Sequence, residues 1–581
     1  MKLFYVCCVC VLCGVASAAW ALDREAFTVS KYDLEIRLEP EQQRLGARGK
    51  ITLRNDSGHP QKIVALQISS SLSWRSIRVD GKAVQFVSQP YTSDIDHSGS
   101  LSEAIVTLPV EIKPKNSVEV EVGYEGVIGL DTTRLAQVGV PEGIAKHTSW
   151  DQISAAFTAV RGAGYVAWYP ITTEAADFSE GNSLFEVVDR WKKREAGSEF
   201  KARVAIPSEG DKESASVICS PGGLTQIASS SGSEDVSAAC SWTRLGAITP
   251  TFAVANYQVQ SKAPLSLFSL PGDEAGVATY SSALEPAMKF VSGWFGAPSE
   301  PIAIADFADP NSPPFESGTF LMASMAEEDS KLAGTNLVHE LVHSAVPSSR
   351  PWVYEGLAHF GEAMYRQQQG GREAALDLLG AHRAEFLDSE KEVAAALTKG
   401  AGEKNPGLKV VGQPLAGTFD ETYYRSKAAY VWWMLRDMVG DDALKQAIGE
   451  YRGEDDKDPK YVEQLIEIAA KRDLGWFFED WVYQDRGLPD FHVQSVHPWT
   501  TDKGVQFITV TLENLSEAGA EVPFTVIFTG GEITKRIEVR AKGTATTRIE
   551  LPNAASEVRV NDGSVPESDV ANNVFKMPAP Q

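Results

Sequence analysis

Alternation of apolar and polar residues characterises the first half of the chain. It is strict from Tyr32 to Leu38 and recurs over residues 49–54 and 117–122, a period of two that predicts strands with one buried face. Asp80-Gly81, between two short apolar segments, is typical of a hairpin turn. Short strands with Gly, Ser and Pro breaks continue to about residue 260. We therefore predict an all-β domain over residues 22–262.

Apolar residues take a helical spacing from about residue 275 onward. The predicted helices cover residues 275–294, 336–346, 354–369, 371–387, 424–438, 441–451 and 459–470. Two strands, at residues 302–305 and 315–325, are predicted between the first two helices. Together these segments predict a helix-rich domain over residues 263–490.

Strand-like alternation returns after Pro489, over residues 506–512 and 521–528. Strands at this spacing favour an immunoglobulin-like β-sandwich over residues 491–581. The predicted fold class is therefore multidomain α+β. The length agrees, because 581 residues are too many for one hydrophobic core.

The net charge of the chain disfavours negatively charged binding partners. It is formally −24, and a negative surface is repelled by nucleic acids and anionic membranes. We therefore expect no nucleic-acid partner. No stretch after the first residues is long and apolar enough for a transmembrane helix, so stable membrane insertion is not expected either. The sequence does not define the oligomeric state.

The first residues predict a targeting signal. Lys2 precedes an apolar run from Leu3 to Val15, and small residues between positions 16 and 21 offer a cleavage site. The run is too short to cross a bilayer, although an N-terminal membrane anchor is the alternative interpretation. We predict a signal peptide over residues 1–21 and export to the periplasm or the cell exterior.

Two cysteines lie outside that segment, Cys219 and Cys240. In an oxidising compartment they most simply pair with each other. The residues around them resemble two short strands joined by a loop rich in Ser and Gly. We therefore predict a disulfide that closes a hairpin.

A metal-binding pattern lies in the helix-rich part. His339 and His343 are four residues apart, so on a helix they share one face and can offer two imidazoles to one Zn²⁺. Glu340 lies one step round the helix, where it can act as general base on a metal-bound water. Apolar neighbours predict that this helix is buried, and buried polar groups need partners such as a metal ion. Glu355 is the candidate for the third ligand that zinc normally requires.

These segments resemble the aminopeptidase N family of zinc peptidases, the gluzincins. In that family the His-Glu helix is followed by Trp-Leu-Asn-Glu-Gly-Phe-Ala, and residues 352–358 here are Trp-Val-Tyr-Glu-Gly-Leu-Ala. The family's Tyr-x-Lys-Gly-Ala is similar to residues 424–429, Tyr-Arg-Ser-Lys-Ala-Ala. The resemblance spans most of the chain. It implies a thermolysin-like catalytic domain, one zinc ion per chain, peptide or protein substrates, and Tyr424 as the donor to the oxyanion.

The spacing of the third ligand departs from the family. Eighteen residues separate His343 from Glu362, as between the second histidine and the ligand glutamate of the family, and only 11 separate it from Glu355. Local sequence favours Glu355, because a loop can shorten more easily than a ligand can change its place on a helix. Glu362 is then expected to lie next to the ligands and to orient them without binding the ion itself. His359, four residues after Glu355, is expected to pack beside the site.

Two further departures concern the substrate. The tyrosine is offset by one residue from its lysine, so Tyr423 remains an alternative to Tyr424. The family's Gly-Ala-Met-Glu-Asn, which binds the free amine of the substrate, is absent, and residues 314–321 stand in its place. Glu316 in this segment is the candidate for binding an α-amine at a strand edge. A solvated loop carboxylate is the alternative.

The sequence therefore predicts an exported zinc metallopeptidase that cuts from a free N-terminus. One alternative is a zinc endopeptidase with the same catalytic residues. The other is a non-catalytic exported binding protein that keeps the fold. Glu340 argues against the binding protein, because such a protein needs no general base.

Overall fold

The structure is a computed structural model that describes residues 22–180, 183–207, 215–220, 235–326, 329–400 and 414–577. It shows a multidomain α+β protein with several sheets and helices. The predicted signal peptide, residues 1–21, lies outside the described residues. Among the helices that are described, none combines the length and apolar character needed to cross a membrane.

Strands dominate the first part of the chain, as predicted. They are β1 (Phe27–Glu39), β2 (Arg44–Asn55), β3 (Gln61–Ser69), β4 (Leu72–Val79), β5 (Lys82–Ala83), β6 (Phe86–Thr92), β7 (Ser100–Ile112), β8 (Ser117–Val127), β9 (Thr158–Val160), β10 (Glu199–Pro207), β11 (Ser216–Cys219), β12 (Asp235–Trp242) and β13 (Phe252–Ala255).

These strands form three sheets, of order β12-β10-β1-β2-β8-β4-β5, β3-β7-β6 and β11-β13-β9. β1 runs antiparallel to β2 and parallel to β10. The alternation predicted from Tyr32 to Leu38 is confirmed, because the apolar side chains along it are at most 1% exposed. They pack into one apolar core with the other strands of this region.

Three α-helices interrupt the described residues of this region, so the all-β prediction is wrong for part of it. They are α1 (Thr133–Gln137), α2 (Glu142–Thr148) and α3 (Ser183–Glu195). α3 buries Leu184, Val187 and Trp191 in the same core as the strands. Residues three and four apart share a helical face, which explains why this segment forms a helix.

A five-stranded sheet follows, of order β14-β15-β16-β18-β17. Its strands are β14 (Gln258–Lys262), β15 (Leu265–Ser269), β16 (Ile302–Ala305), β17 (Phe315–Glu316) and β18 (Phe320–Met322). β15, β16 and β18 are parallel, and the two outer strands run antiparallel to their neighbours. The single strand predicted over residues 315–325 is thus a hairpin. It reverses at Gly318, whose φ of +71° favours glycine.

The helix-rich part is confirmed as helical. Its helices are α4 (Glu274–Trp294), α5 (Ser330–Ala345), α6 (Pro351–Gly400), α7 (Ala428–Val439), α8 (Asp441–Glu450), α9 (Tyr461–Ala470) and α10 (Gly475–Phe478). α6 covers two predicted helices and is kinked at Gly371, where φ is +81°. Two π-helical turns, Thr422–Lys427 and Glu479–Tyr483, precede α7 and follow α10.

The last part of the chain forms two antiparallel sheets, of order β19-β20-β23 and β22-β21-β24-β25. The strands are β19 (Phe491–Thr500), β20 (Gln506–Asn514), β21 (Ala520–Phe528), β22 (Gly531–Val539), β23 (Thr544–Leu551), β24 (Ala555–Val560) and β25 (Val574–Lys576). The immunoglobulin-like topology and the three domain boundaries remain predictions. The boundary at residue 262 falls in the turn between β14 and β15.

One apolar core joins the helices to these C-terminal strands, since a single buried cluster extends from Leu265 to Val565. Trp481 belongs to it, and its indole N–H donates to the Gly519 carbonyl at 2.7 Å. Asp437 at the end of α7 accepts from Arg536 of β22 at 2.9 Å.

Cys219 and Cys240 form the predicted disulfide, with their Cα atoms 5.8 Å apart. The predicted hairpin is wrong, however. β11 pairs with β13, whereas β12 pairs with β10 at the edge of the seven-stranded sheet. The disulfide therefore joins two different sheets, because each strand finds its backbone partner elsewhere. The loop between the two strands lies mostly outside the described residues.

Glu195, at the end of α3, should make stability depend on pH. Its carboxyl group is fully buried and accepts from the Val29 N–H at 3.2 Å. Burial raises its pKa from 4.5 to about 8. The folded protein thus keeps a proton that the unfolded chain releases, so stability from this group is complete below pH 4.5 and is lost as the pH rises to about 8. We expect urea unfolding to show a fall in the free energy of unfolding across this range.

Glu195→Gln should reduce that fall, because the amide does not titrate. Glu186→Gln, on the exposed face of the same helix, is the matched control and should behave as the wild type. Identical pH profiles for the wild type and Glu195→Gln would contradict the prediction.

Candidate metal centre

α5 carries the two histidines and the glutamate between them into the protein interior. The helix begins after Asp329, whose carboxylate caps it by accepting from the Lys331 N–H at 2.8 Å. Its apolar residues Leu337, Val338, Leu341 and Val342 are buried, as predicted. His339 and His343 lie one turn apart, with ring centroids separated by 4.6 Å. Glu340 beside them is 1% exposed.

α6 approaches α5 and α7 closely enough that two of its positions require glycine. A Cβ atom on Gly356 would lie 2.7 Å from the Cβ of Ala428 in α7. A Cβ atom on Gly361 would lie 2.9 Å from a methyl carbon of Val342 in α5. Because real Cβ atoms need more room, these glycines allow α6 to lie between the two helices. Glu355, next to Gly356, is thereby brought to the histidines.

Four side chains converge on one point. Glu316, His339, His343 and Glu355 each offer one donor atom, and these atoms lie within 4.8 Å of one another. The carboxylate of Glu355 lies 3.9 Å from Nε2 of His339 and 3.7 Å from Nε2 of His343. Glu316, on β17, is nearer, with Oε1 at 2.8 Å and 2.9 Å from the same two nitrogens. The structure thus brings the predicted ligands together and adds Glu316 to them.

Glu362 lies on the opposite side of His339. Its Oε1 contacts Nδ1 of His339 at 2.8 Å, and its Oε2 contacts Nδ1 of His359 at 3.1 Å. A carboxylate on Nδ1 fixes the ring orientation and leaves Nε2 to face an ion. Glu355 faces Nε2 and Glu362 faces Nδ1, so the two glutamates have different positions relative to the histidine.

The donor set fits a zinc ion. Glu340 Oε2, Glu355 Oε2 and His343 Nδ1 are buried, and no described residue hydrogen-bonds to them. Buried carboxylate oxygens of this kind call for a cation, and zinc takes imidazole nitrogens together with carboxylate oxygens. His339, His343 and Glu355 would hold it through Nε2, Nε2 and a carboxylate oxygen.

Burial and mutual charge set the electrostatics of the cluster. Burial lowers the pKa of His339, but the carboxylates of Glu316 and Glu362 outweigh it and raise that pKa well above its ordinary value. Burial is also the main cause that raises the pKa of Glu340 well above its usual range, and the nearby charge of Glu316 adds to it. Both causes increase the proton affinity of the Glu340 carboxylate, which is the property that a general base uses when it accepts a proton.

Tyr424 lies in the π-helical turn that precedes α7. Its hydroxyl donates a hydrogen bond to the Glu421 carboxylate. The charge of Lys192 is the main cause that lowers the pKa of Glu421, and the hydrogen bond from Tyr424 adds to it. Lys192 comes from α3, and its ammonium group contacts Glu421 at 2.8 Å. A π-helical turn holds one residue more than an α-helical turn. The one-residue offset between Tyr424 and Lys427 therefore coincides with the turn that can absorb it.

Two residues near the metal-binding atoms were missed by the sequence analysis. The Nε of Arg425 lies 3.6 Å from Glu355 Oε2, and about a third of its side chain is exposed. Tyr354 stacks on His343, with centroids 3.8 Å apart and the rings inclined by 21°. Arg425 is adjacent in sequence to Tyr424, and Tyr354 is adjacent to Glu355. This adjacency to the motifs was the one sequence signal that could have identified them. Neither residue type suggests a metal site by itself.

No family model and no curated protein matches this sequence. Comparison with solved structures does find similar proteins. One is an M1 zinc metallopeptidase from Deinococcus radiodurans, 16% identical, with a TM-score of 0.47 over 80% of this chain and 95% of that one.

A mutant M1 zinc metallopeptidase from Deinococcus radiodurans is 16% identical, with a TM-score of 0.45 over 80% of this chain and 96% of that one. A mutant bound to a Tyr-Ser-Ala substrate is 15% identical, with a TM-score of 0.43 over 78% and 92% of the two chains.

Proposed function

We propose that this chain is a zinc-dependent peptidase that hydrolyses peptide bonds from a free N-terminus. The convergence of Nε2 of His339, Nε2 of His343 and the carboxylate of Glu355 carries the proposal. Glu340, the buried carboxyl group on the same helix, completes the arrangement. Two imidazoles, a carboxylate and an adjacent glutamate are the donor set and general base of zinc-assisted hydrolysis.

A bound zinc ion would act as a Lewis acid on the scissile carbonyl and would make water more acidic. The chain's own residues do the rest. Glu340 accepts a proton at Oε2 and returns it to the leaving amine. Glu362 holds His339 through Nδ1, and Tyr354 fixes the plane of the His343 ring by stacking on it.

The donor to the developing oxyanion is assigned to Tyr424, with Tyr423 as the alternative. Hydrogen bonds from a preorganised donor stabilise such a charge. In the substrate-free protein the Tyr424 hydroxyl donates a hydrogen bond to the Glu421 carboxylate, which Lys192 also contacts at 2.8 Å. Donation to an oxyanion therefore requires this hydroxyl to turn away from Glu421. Burial raises the pKa of Tyr424 well above its ordinary value, so the hydroxyl keeps its proton and can donate it in a hydrogen bond.

Glu316 supports cleavage from a free N-terminus. It lies on an edge strand beside the histidines, where a peptide can pair with the sheet and place its α-amine near the carboxylate. A zinc endopeptidase would use the same catalytic residues without this contact. A binding protein would have no use for the general base Glu340.

Export of the protein is part of the proposal. The disulfide between Cys219 and Cys240 supports it, because such bonds persist in oxidising compartments. The periplasm and the cell exterior both meet this condition.

Glu340→Ala should abolish peptide hydrolysis while leaving bound zinc in place, because Glu340 moves protons and does not hold the ion. The loss of kcat should be about 10²–10⁴-fold. Steady-state hydrolysis and zinc analysis of the same preparations measure both quantities. Glu285→Ala, which removes an exposed carboxylate on α4, is the control. Hydrolysis that survives Glu340→Ala would exclude this mechanism.

Glu355→Ala should lose zinc during dialysis against a weak chelator, since it removes a ligand. Glu362→Ala should retain zinc with about 10–100-fold lower affinity, since it removes only the hydrogen-bond partner of His339. Zinc content and competition with a chelating dye measure the two effects. If Glu362→Ala lost its zinc and Glu355→Ala retained it, Glu362 would be the ligand instead of Glu355.

Peptides with free amino termini should be cleaved much faster than the same peptides after N-acetylation, because acetylation removes the charge that Glu316 would bind. Mass spectrometry should show loss of single residues from the N-terminus. The Glu340→Ala protein provides the background rate. Equal cleavage of free and acetylated peptides would exclude the aminopeptidase and favour the endopeptidase.

A further inference from the structure

Glu316 is held in place by the hairpin at the edge of the five-stranded sheet. It ends β17 and pairs with Leu321 of β18. The Ser317 N–H donates to the Phe320 carbonyl at 2.9 Å, which closes the turn. The Ser317 hydroxyl donates to the Thr249 carbonyl at 2.7 Å. The backbone is thus anchored beside Glu316, and the position of its carboxylate depends on side-chain torsions.

The carboxylate of Glu316 occupies the face of the histidines that an ion would share. Its Oε1 is within 2.9 Å of both Nε2 atoms, whereas the nearest approach of Glu355 to them is 3.7 Å. His339 Nδ1 is already engaged by Glu362. A carboxylate can only accept hydrogen bonds, so each short nitrogen–oxygen contact requires a proton or a cation between its atoms.

The distances agree with four ligands around one ion. Donor atoms of a tetrahedral zinc site with bonds of about 2.0–2.1 Å lie about 3.3 Å apart. The Glu316 oxygen lies closer than this to Nε2 of His339, at 2.8 Å, and the Glu355 oxygen lies farther from it, at 3.9 Å. Movements of about half an ångström by the two carboxylates would give both the required distance.

We propose that Glu316 is a fourth protein ligand of the metal ion in the substrate-free protein, and that a substrate with a free α-amine draws it away. The proposal rests on the zinc peptidase function and extends it. A catalytic zinc site needs a position that water and substrate can take, and four protein ligands leave none. The α-ammonium group of a peptide offers Glu316 an alternative partner of opposite charge.

This arrangement couples recognition to activation. A peptide with a free amino terminus opens the fourth position because it binds the carboxylate that fills it. A peptide with a blocked terminus leaves Glu316 on the ion. Glu316 therefore selects substrates through the coordination of the metal, in addition to direct attraction of the amine.

Crystal structures of the zinc-loaded protein test the geometry. Without ligand, an oxygen of Glu316 should lie about 2.0–2.2 Å from zinc. With L-leucinamide bound, that oxygen should have left the ion for the ligand amine. N-acetyl-leucinamide should leave it on the ion. A substrate-free structure in which zinc is held only by His339, His343 and Glu355 would overturn the proposal.

Zinc affinity in solution tests it independently of activity. Glu316→Gln and the shorter Glu316→Asp should each lower the affinity at least about 10-fold in competition with a chelating dye, by comparison with losses of about 10–100-fold for outer partners. Circular dichroism identifies a variant that fails to fold. If Glu316→Gln fails to fold, Glu316→Asp tests the same role with the negative charge retained. Glu285→Gln, on the exposed side of α4, is the control and should bind zinc as the wild type.

The outcomes separate the two proposals. Unchanged zinc affinity in both folded Glu316 variants would overturn the ligand role while the function of Glu340 stands. A wild type that binds no zinc, or hydrolysis that is insensitive to zinc removal, would overturn the proposed function itself.

Discussion

The site depends on a buried excess of negative charge. Four carboxyl groups, those of Glu316, Glu340, Glu355 and Glu362, surround two imidazoles in a region that is largely closed to water. Burying charges without partners costs several kcal/mol each. Apart from the imidazoles, the cation that forms a described ion pair with these carboxylates is Arg425, whose Nε lies 3.6 Å from Glu355 Oε2. A divalent cation at the two Nε2 atoms would balance this charge.

Backbone packing makes that arrangement possible. Glu355 and Glu362 reach opposite nitrogens of His339 only because α6 lies close to α5 along two turns. Gly361 allows this contact, and Gly356 allows the same helix to touch α7. A methyl group at either position would contact the neighbouring helix too closely, so α6 or its neighbour would have to shift.

The parts of the site that could be predicted are those encoded by local spacing. Residues four apart on a helix share a face, so the pairing of His339 and His343 followed from the sequence. The choice between Glu355 and Glu362 could not follow from spacing, since both lie on one face of α6. It depends on which ring nitrogen each glutamate meets, and that is decided by the position of α6 against α5. The contact of Glu316 with the histidines depends on a strand 23 residues away from His339, for which no local pattern exists.

In the fold, too, the features encoded by local spacing could be predicted, and those that depend on contacts between distant segments could not. Strands with a period of two were recovered. The helix α3 was missed because it lies among short strands, although Leu184, Val187, Val188 and Trp191 have helical spacing. The hairpin around the disulfide was wrong because backbone pairing with β10 and β13 outweighed proximity in sequence. The π-helical turn at residues 422–427 is likewise invisible in a hydrophobic pattern, since one inserted residue changes the spacing without changing the composition.

The apolar core that runs from Leu265 to Val565 has a consequence for folding. Side chains of the C-terminal strands and of the helices around the histidines exclude water from each other, so neither group can complete its interior alone. The two parts therefore act as one cooperative folding unit, although they differ in secondary structure. A destabilising substitution in a distant C-terminal strand would therefore also loosen the helices that carry the two histidines.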